Sequence, residues 1–421
     1  MSEKKHHGVQ SLIGKFDSVA LVRNFIGVSG LYVVGIPLLL SANIVLARTL
    51  SVADYGAFGF ALSLATVLVI PVASGLPMLL TREVSSYVRD GNWSAYRGLV
   101  SVAYLWVAVV SATIGLAFWA WMALVDRLPD QKFFIILLLI PLLGLNAIRN
   151  GILKGLGRPV LAEAPVQVIQ PSLMIVGYLA LAYLGLGSTV YALWWYLMVV
   201  AVAFVLASVM LWRVQPAVVK GADCDTSDLV RWRRSIVAFT LISASTTLGA
   251  QVAVLMLGFS GQEEAVAYMR VAERGAQLVV FPLHAINTVI GPYFVNAINS
   301  GEKGDLREVA RRSVRFSLLT ALPIGLVLLF FGKTLITWTF GASYSTGAYV
   351  PMLILIAAQV FMIALGSGGI ILSMARLERL TLTGQVISFV IILISCGFLI
   401  GRFGAVGAAI GVATGIVAVS L

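Results

Sequence analysis

Charge is scarce in this sequence. Asp, Glu, Lys and Arg together make up 11% of the 421 residues, against about a quarter in an ordinary water-soluble domain. With 60% hydrophobic residues and a mean hydropathy of +0.98, there is too little polar surface to clothe a soluble body. This excludes a soluble enzyme, a disordered chain and a secreted scaffold. Cysteine is scarcer still. Cys224 and Cys396 stand far apart and imply neither a disulfide framework nor a metal cluster. Catalytic motifs are missing as well. The sequence has no HExxH, GxSxG or GxxxxGK[ST] pattern, so no zinc protease site, hydrolase nucleophile, nucleotide-binding loop or cofactor is expected.

What the chain does have is long apolar runs. A hydrocarbon core needs about 20 apolar residues per helix. About twelve runs qualify, near 25–46, 57–79, 99–125, 133–150, 161–184, 189–211, 235–258, 265–290, 316–335, 349–372, 381–400 and 404–421. The expected fold is therefore an all-α integral membrane protein.

The basic residues, 29 against 18 acidic ones, invite a nucleic-acid reading, but their distribution argues against it. They fall in alternate loops. Lys4, Lys5, Lys15 and Arg23 precede the first span, Arg82, Arg89 and Arg97 follow the second, and Arg149, Lys154 and Arg158 follow the fourth. Arg213, Lys220, Arg231, Arg233 and Arg234 follow the sixth, Lys303, Arg307, Arg311, Arg312 and Arg315 the eighth, and Arg376 and Arg379 the tenth. The opposite side holds only Arg48, Arg127, Lys132, Lys333 and Arg402. The positive-inside bias puts both termini in the cytoplasm and supports an even number of spans. The start MSEKKHHGVQ has no early apolar core or cleavage site, so no signal peptide is expected. Val9, Leu12, Ile13, Phe16 and Val19 recur at helical spacing, which suits an amphipathic segment over 1–24 lying on the membrane surface; a floppy tail is the competing reading.

The two halves resemble one another. A constant shift carries Asp54 onto Glu264, Phe58 onto Tyr268, Gly91 onto Gly301 and Arg97 onto Arg307. A slightly longer shift carries Arg158 onto Arg376 and Gln167, Val168 and Ile169 onto Gln385, Val386 and Ile387. This order implies a duplication. The expected plan is two pseudo-symmetric six-helix lobes, 25–211 and 235–421, joined by a cytoplasmic linker over 212–234, around a central cavity.

Ionisable groups inside a span are costly and are functional candidates by default. Arg270, Glu273 and Arg274 form the best cluster. Arg270 and Arg274 share a helical face, Glu273 neutralises part of the pair, and Arg274 stands about 14 Å into a span that begins near Ala265. The net positive charge calls for an anion, and the planar guanidinium fork suits phosphate. An internal brace between helices is the competing reading. Arg23 stands at the mouth of the first span. His284 is a candidate for coupling, since its charge changes near neutral pH. Gln167, Gln251, Gln277, Gln359 and Gln385 lie within spans and could face a sugar; such residues also serve as glue between helices. Pro37, Pro71, Gly75, Pro77, Pro171, Pro282, Pro292 and Pro323 mark candidate bends.

Residues 46–87 resemble the first two spans of Wzx-like bacterial polysaccharide flippases, members of the multidrug/oligosaccharidyl-lipid/polysaccharide exporter superfamily. Leu46–Ala47–Arg48, Leu50–Ser51, Asp54–Tyr55–Gly56, Gly75–Leu76 and Thr81–Arg82–Glu83 carry that resemblance, and IRNGILKGLGRP at 148–159 is similar to the family's loop after the fourth span. The resemblance implies transfer of undecaprenyl-diphosphate-linked oligosaccharide, such as an O-antigen or exopolysaccharide unit, to the outer leaflet of the bacterial inner membrane by alternating access. It implies that Arg270 and Arg274 hold the diphosphate and Arg23 receives it. It further implies membrane lipids, a polysaccharide polymerase and a chain-length regulator as partners. The second span carries no internal Arg, unlike some lipid II flippases of the superfamily, which disfavours a peptidoglycan precursor.

Other readings remain open. An ion-coupled drug or cation antiporter of the same superfamily would favour a buried carboxylate in the N-terminal lobe, and the sequence shows only Glu163, near a span end. A membrane glycan polymerase would need an outward catalytic loop, which is not apparent. A non-transporting scaffold would not require the intramembrane Arg pair.

Overall fold

The computed structural model describes residues 3–125, 130–216, 218–300, 303–366 and 378–420. All regular structure among them is helical. α1 runs Glu3–Thr49 as one helix with Pro37 inside it. α2 (Val52–Leu68), α3 (Ile70–Ala73) and α4 (Leu76–Asp90) follow, with a break in the helix at Val69. Pro71 explains the break: its ring crowds the preceding turn and it has no N–H to continue the ladder. The N–H groups of Val72 and Ala73 bond instead to the Val69 carbonyl.

α5 (Trp93–Val125) and α6 (Gln131–Gly155) follow, then α7 (Pro159–Ala164), a π-helical turn over Pro165–Ile169, and α8 (Gln170–Tyr183). α9 (Thr189–Val214), the short α10 (Val218–Gly221), α11 (Leu229–Phe259), α12 (Glu263–Ser300), α13 (Lys303–Thr339), α14 (Ala342–Leu365) and α15 (Glu378–Ser420) complete the order.

Nine helices among the described residues are long and apolar enough to cross a membrane, or ten if α2–α4 is counted as one span. α15 is two spans. Gly404 leaves helical geometry with φ 52° and ψ −125°, which an L side chain rarely adopts. Beyond it Gly411 and Gly415 close directly onto Cys396 and Ile392 of the first half. α12 coincides with the expected span near 265–290. Apart from 367–372 and 421, which lie outside the described residues, each run read from the sequence falls on a helix.

Packing divides the chain into two compact units. One comprises Met1–Asn43, Val69–Ala180 and Trp194–Thr240; the other comprises Ile44–Leu68, Leu181–Leu193 and Leu241–Leu421. In the first, α4 packs on α6. Gly151 and Gly155 form a small-xxx-small stripe that lets Pro77, Leu80 and Val84 approach the α6 backbone. In the second, α12 packs on α2, α13 and α14. Gly56 allows α2 to close against the Glu263 carbonyl of α12.

Candidate anion-binding site

The chain reverses at Gly261, φ +71°, and α12 starts two residues later with Glu263 and Glu264 in its first turn, where acids complement the helix dipole. Two turns further on stands Arg270. Its Nη1 donates to Glu273 Oε2 at 3.0 Å. Its Nη2 donates to Gln251 Oε1 of α11 at 3.0 Å, to the Gly59 carbonyl of α2 at 3.3 Å, and to Ser63 Oγ. Ser63 is fully buried. Arg270 therefore ties three helices together, and Glu273 balances its charge.

Arg274 differs. Its Nη1 donates to Gln277 Oε1 at 2.9 Å, one turn on, and among the described residues it has no carboxylate within ion-pair reach. Arg274 is half-buried and Gln277 exposed. The cluster thus holds one pinned, neutralised guanidinium and one whose remaining N–H groups can take an anion. Gln251 and Gln277, two of the sequence-selected glutamines, join it.

The other selected residues lie elsewhere. Arg23 is exposed on α1, beside Asn24, whose Nδ2 donates to the Gly157 carbonyl at 3.3 Å. Gln167 Nε2 donates to Glu163 Oε2 at 3.3 Å. Gln385 Oε1 accepts from Ser245 Oγ at 3.2 Å. Gln359 Oε1 is buried without a partner among the described residues. The His284 side chain lies outside the described residues.

Two clusters in the first unit escaped the sequence reading. Glu163 is buried, and Oε1 accepts from Lys154 Nζ at 2.7 Å. A carboxylate near a span end is thus held inside the protein. Glu83 is also buried, clasped by Arg82 at 2.8 Å and by Arg231. Tyr87 OH donates to Asp228 Oδ2 at 3.1 Å and accepts from the fully buried Trp232 Nε1 at 3.0 Å. The start of α11 is thereby fastened to α4. The signal for both was an acid set among basic residues, Glu83 beside Arg82 and Glu163 close to Lys154 and Arg158.

The motifs singled out in the sequence have structural work. Ser51 Oγ caps the Asp54 N–H at 3.1 Å, and Asp54 Oδ1 accepts from the Thr189 hydroxyl at 2.7 Å, joining the starts of α2 and α9. Tyr55 stacks edge-on against Tyr344 with ring centroids 5.9 Å apart. Tyr344 OH donates to the Ala47 carbonyl at 3.0 Å, and Arg48 Nε donates to the Thr339 carbonyl at 2.6 Å near the end of α13. In the second motif, the Arg149 guanidinium lies 3.5 Å over the Phe204 ring, and Asn150 Nδ2 donates to the Ala162 carbonyl at 3.2 Å.

Comparison with known proteins gives a family and a fold. The family described as polysaccharide biosynthesis protein matches residues 21–298, about two thirds of the chain. No curated protein sequence matches. Among solved structures, an inward-facing multidrug resistance MATE family transporter of the MOP superfamily superposes with a TM-score of 0.72 at 14% identity, covering 91% of this chain and 92% of its own. The lipid II flippase MurJ in an inward closed conformation gives 0.69 at 11% identity over 96% and 85%. A MOP superfamily transporter from Pyrococcus furiosus, whose binding pocket has reversed polarity, gives 0.61 at 15% over 94% and 93%. At these identities the likeness is one of fold.

Proposed function

The chain belongs to the polysaccharide biosynthesis protein family, and from that premise we propose that it is a flippase. Its cargo is an oligosaccharide linked to undecaprenyl diphosphate, an O-antigen or exopolysaccharide unit, moved from the cytoplasmic to the periplasmic leaflet of the bacterial inner membrane. The two lobes, 25–211 and 235–421, exchange access to the two sides across the linker 212–234, with 1–24 and both termini in the cytoplasm. A polysaccharide polymerase and a chain-length regulator act on the delivered unit.

The observation that carries this reading is the division of labour on α12. Arg270 is held by the Glu273 carboxylate and by Gln251, Gly59 and Ser63, while Arg274, bonded to Gln277, has no carboxylate partner among the described residues and keeps donors for an outside acceptor. A guanidinium offered without a carboxylate matches a diphosphate, each charge-assisted bond contributing about 1.5–3 kcal/mol. Arg274, not Arg270, is thus the residue expected to touch the head group, with Gln277 beside it. Arg23 is an exposed cation available for first capture. His284 stays a candidate for coupling and Gln359, Gln167 and Gln385 for sugar contact.

The antiporter reading draws on Glu163, since a cation exporter needs an intramembrane carboxylate that can trade cargo for a proton. Lys154, 2.7 Å away, already occupies that carboxylate, which favours the anionic cargo. Binding distinguishes the two. Purified protein should be stabilised against heat by the host's undecaprenyl-diphosphate oligosaccharide and not by a cationic dye such as ethidium. Stabilisation by the dye alone would move the protein to the antiporter branch.

A further inference from the structure

The cluster around Glu163 is built from four elements and has a feature a plain structural ion pair does not need. The two carboxylate oxygens have separate clienteles. Oε1 takes Lys154 Nζ at 2.7 Å. Oε2 faces Tyr32 OH of α1 at 3.4 Å and Gln167 Nε2 of the π-helical turn at 3.3 Å. Both latter bonds are long, so these donors stand in reach without being fully engaged. Local geometry arranges this. The π turn begins at Pro165, closes with the Gln170 N–H on the Pro165 carbonyl, and presents Gln167 back toward Glu163. Such single-turn insertions cluster at functional sites. Gly35 has no side chain to hold α1 away from Gln167.

The pair is also asymmetric in exposure. The Glu163 side chain is 8% exposed and that of Lys154 35%. Lysine is a point charge on a flexible stem, able to swing between acceptors. If it leaves, the carboxylate retains neutral donors, Tyr32 and Gln167 on Oε2 with Asn150 beside them, that can shorten onto it, and the penalty of an abandoned buried charge falls.

We infer that Lys154 and Glu163 form a partner-exchange site, in which an incoming phosphate or diphosphate takes Lys154 from Glu163 while Tyr32 and Gln167 close on the released carboxylate. The inference rests on the anionic cargo of the proposed function and adds a second phosphate contact, in the unit that does not contain Arg274. Because Glu163 competes with the ligand for one ammonium group, anion affinity is set by the difference between two ion pairs.

This makes a prediction of sign. The full chain in neutral-lipid nanodiscs is titrated calorimetrically with inorganic pyrophosphate. Glu163→Gln should bind it more tightly, by about tenfold, because the competitor is gone. Lys154→Gln should bind about tenfold more weakly, and the double variant should behave like Lys154→Gln. Tyr32→Phe, which leaves the resting pair intact, should weaken binding about threefold by withdrawing a donor from the exchanged state. Unchanged or weaker binding by a folded Glu163→Gln, or unaltered binding by Lys154→Gln, would overturn the exchange. Should Glu163→Gln not fold, the signs for Lys154→Gln and Tyr32→Phe decide alone. Undecaprenyl diphosphate added to the nanodiscs identifies the source. Displacement of pyrophosphate supports the lipid head group; the same variant pattern without displacement keeps the exchange site, assigns it a soluble phosphate, and counts against the flippase reading instead.

Discussion

Arg270 Nη1 bonds Glu273 Oε2 at 3.0 Å, one turn apart on α12, and this pairing sets the character of the site. It spends the only carboxylate of the cluster on the arginine that already braces α2 and α11. The arginine four residues on is left without one.

The two arginines should therefore fail differently. Arg270→Ala strands Glu273, Ser63 and Gln251, and a broken, largely buried ion pair costs about 3–5 kcal/mol. Its thermal unfolding in detergent should drop by several degrees. Arg274→Ala gives up one bond to an exposed Gln277, so its stability should stay within about 0.5 kcal/mol. A stable Arg270→Ala would remove the brace from the account.

The clasp at Glu83 predicts a charge-swap result. Glu83→Arg places three cations together with Arg82 and Arg231 and should destabilise the protein. Adding Arg231→Glu should recover part of the loss, about 1 kcal/mol given that Arg231 is more than half exposed. Unfolding midpoints of the two singles and the double give the coupling. Strictly additive effects would mean that the pair does not interact.

Gly56 supplies a packing test. A Cβ there would run into the Glu263 carbonyl, which belongs to a helix backbone and cannot turn aside. Gly56→Ala should cost about 1–3 kcal/mol. Gly115→Ala, where nothing lies within 4 Å, serves as the control and should be tolerated.

The native cysteines test orientation. Cys224 is exposed and Cys396 buried. A membrane-impermeant maleimide should label the protein in inside-out vesicles, and Cys224→Ser should abolish the signal. Labelling of Cys224 in intact spheroplasts would invert the topology.

Much of the fold was legible because lipid imposes it. Twelve apolar runs and a one-sided distribution of Arg and Lys leave few alternatives to a multi-span helical protein. The break in α2–α4 was legible in part, since Pro71 and Pro77 announced it. The π turn at Pro165–Ile169 was not, because one inserted residue leaves no mark on an apolar run. The site divided the same way. Spacing put Arg270 and Arg274 on one face of α12. Their unlike roles depend on Gly59, Ser63 and Gln251, contributed by helices distant in sequence. Glu163 was discounted for its place near a span end; its burial comes from the packing of α1, α6 and the π turn around it. Gln167 and Gln385, matched by the internal repeat, both bond side chains of the protein itself, Glu163 and Ser245.

The most direct measurement is leaflet transfer. The protein is reconstituted in liposomes carrying the host's undecaprenyl-diphosphate oligosaccharide, with a cationic dye as control cargo. Glycolipid transfer should fall at least about tenfold in the stably folded Arg274→Ala variant, the equivalent of losing one charge-assisted bond to phosphate, with no dye movement. Dye transport without glycolipid transfer, or full glycolipid transfer by Arg274→Ala, would contradict it.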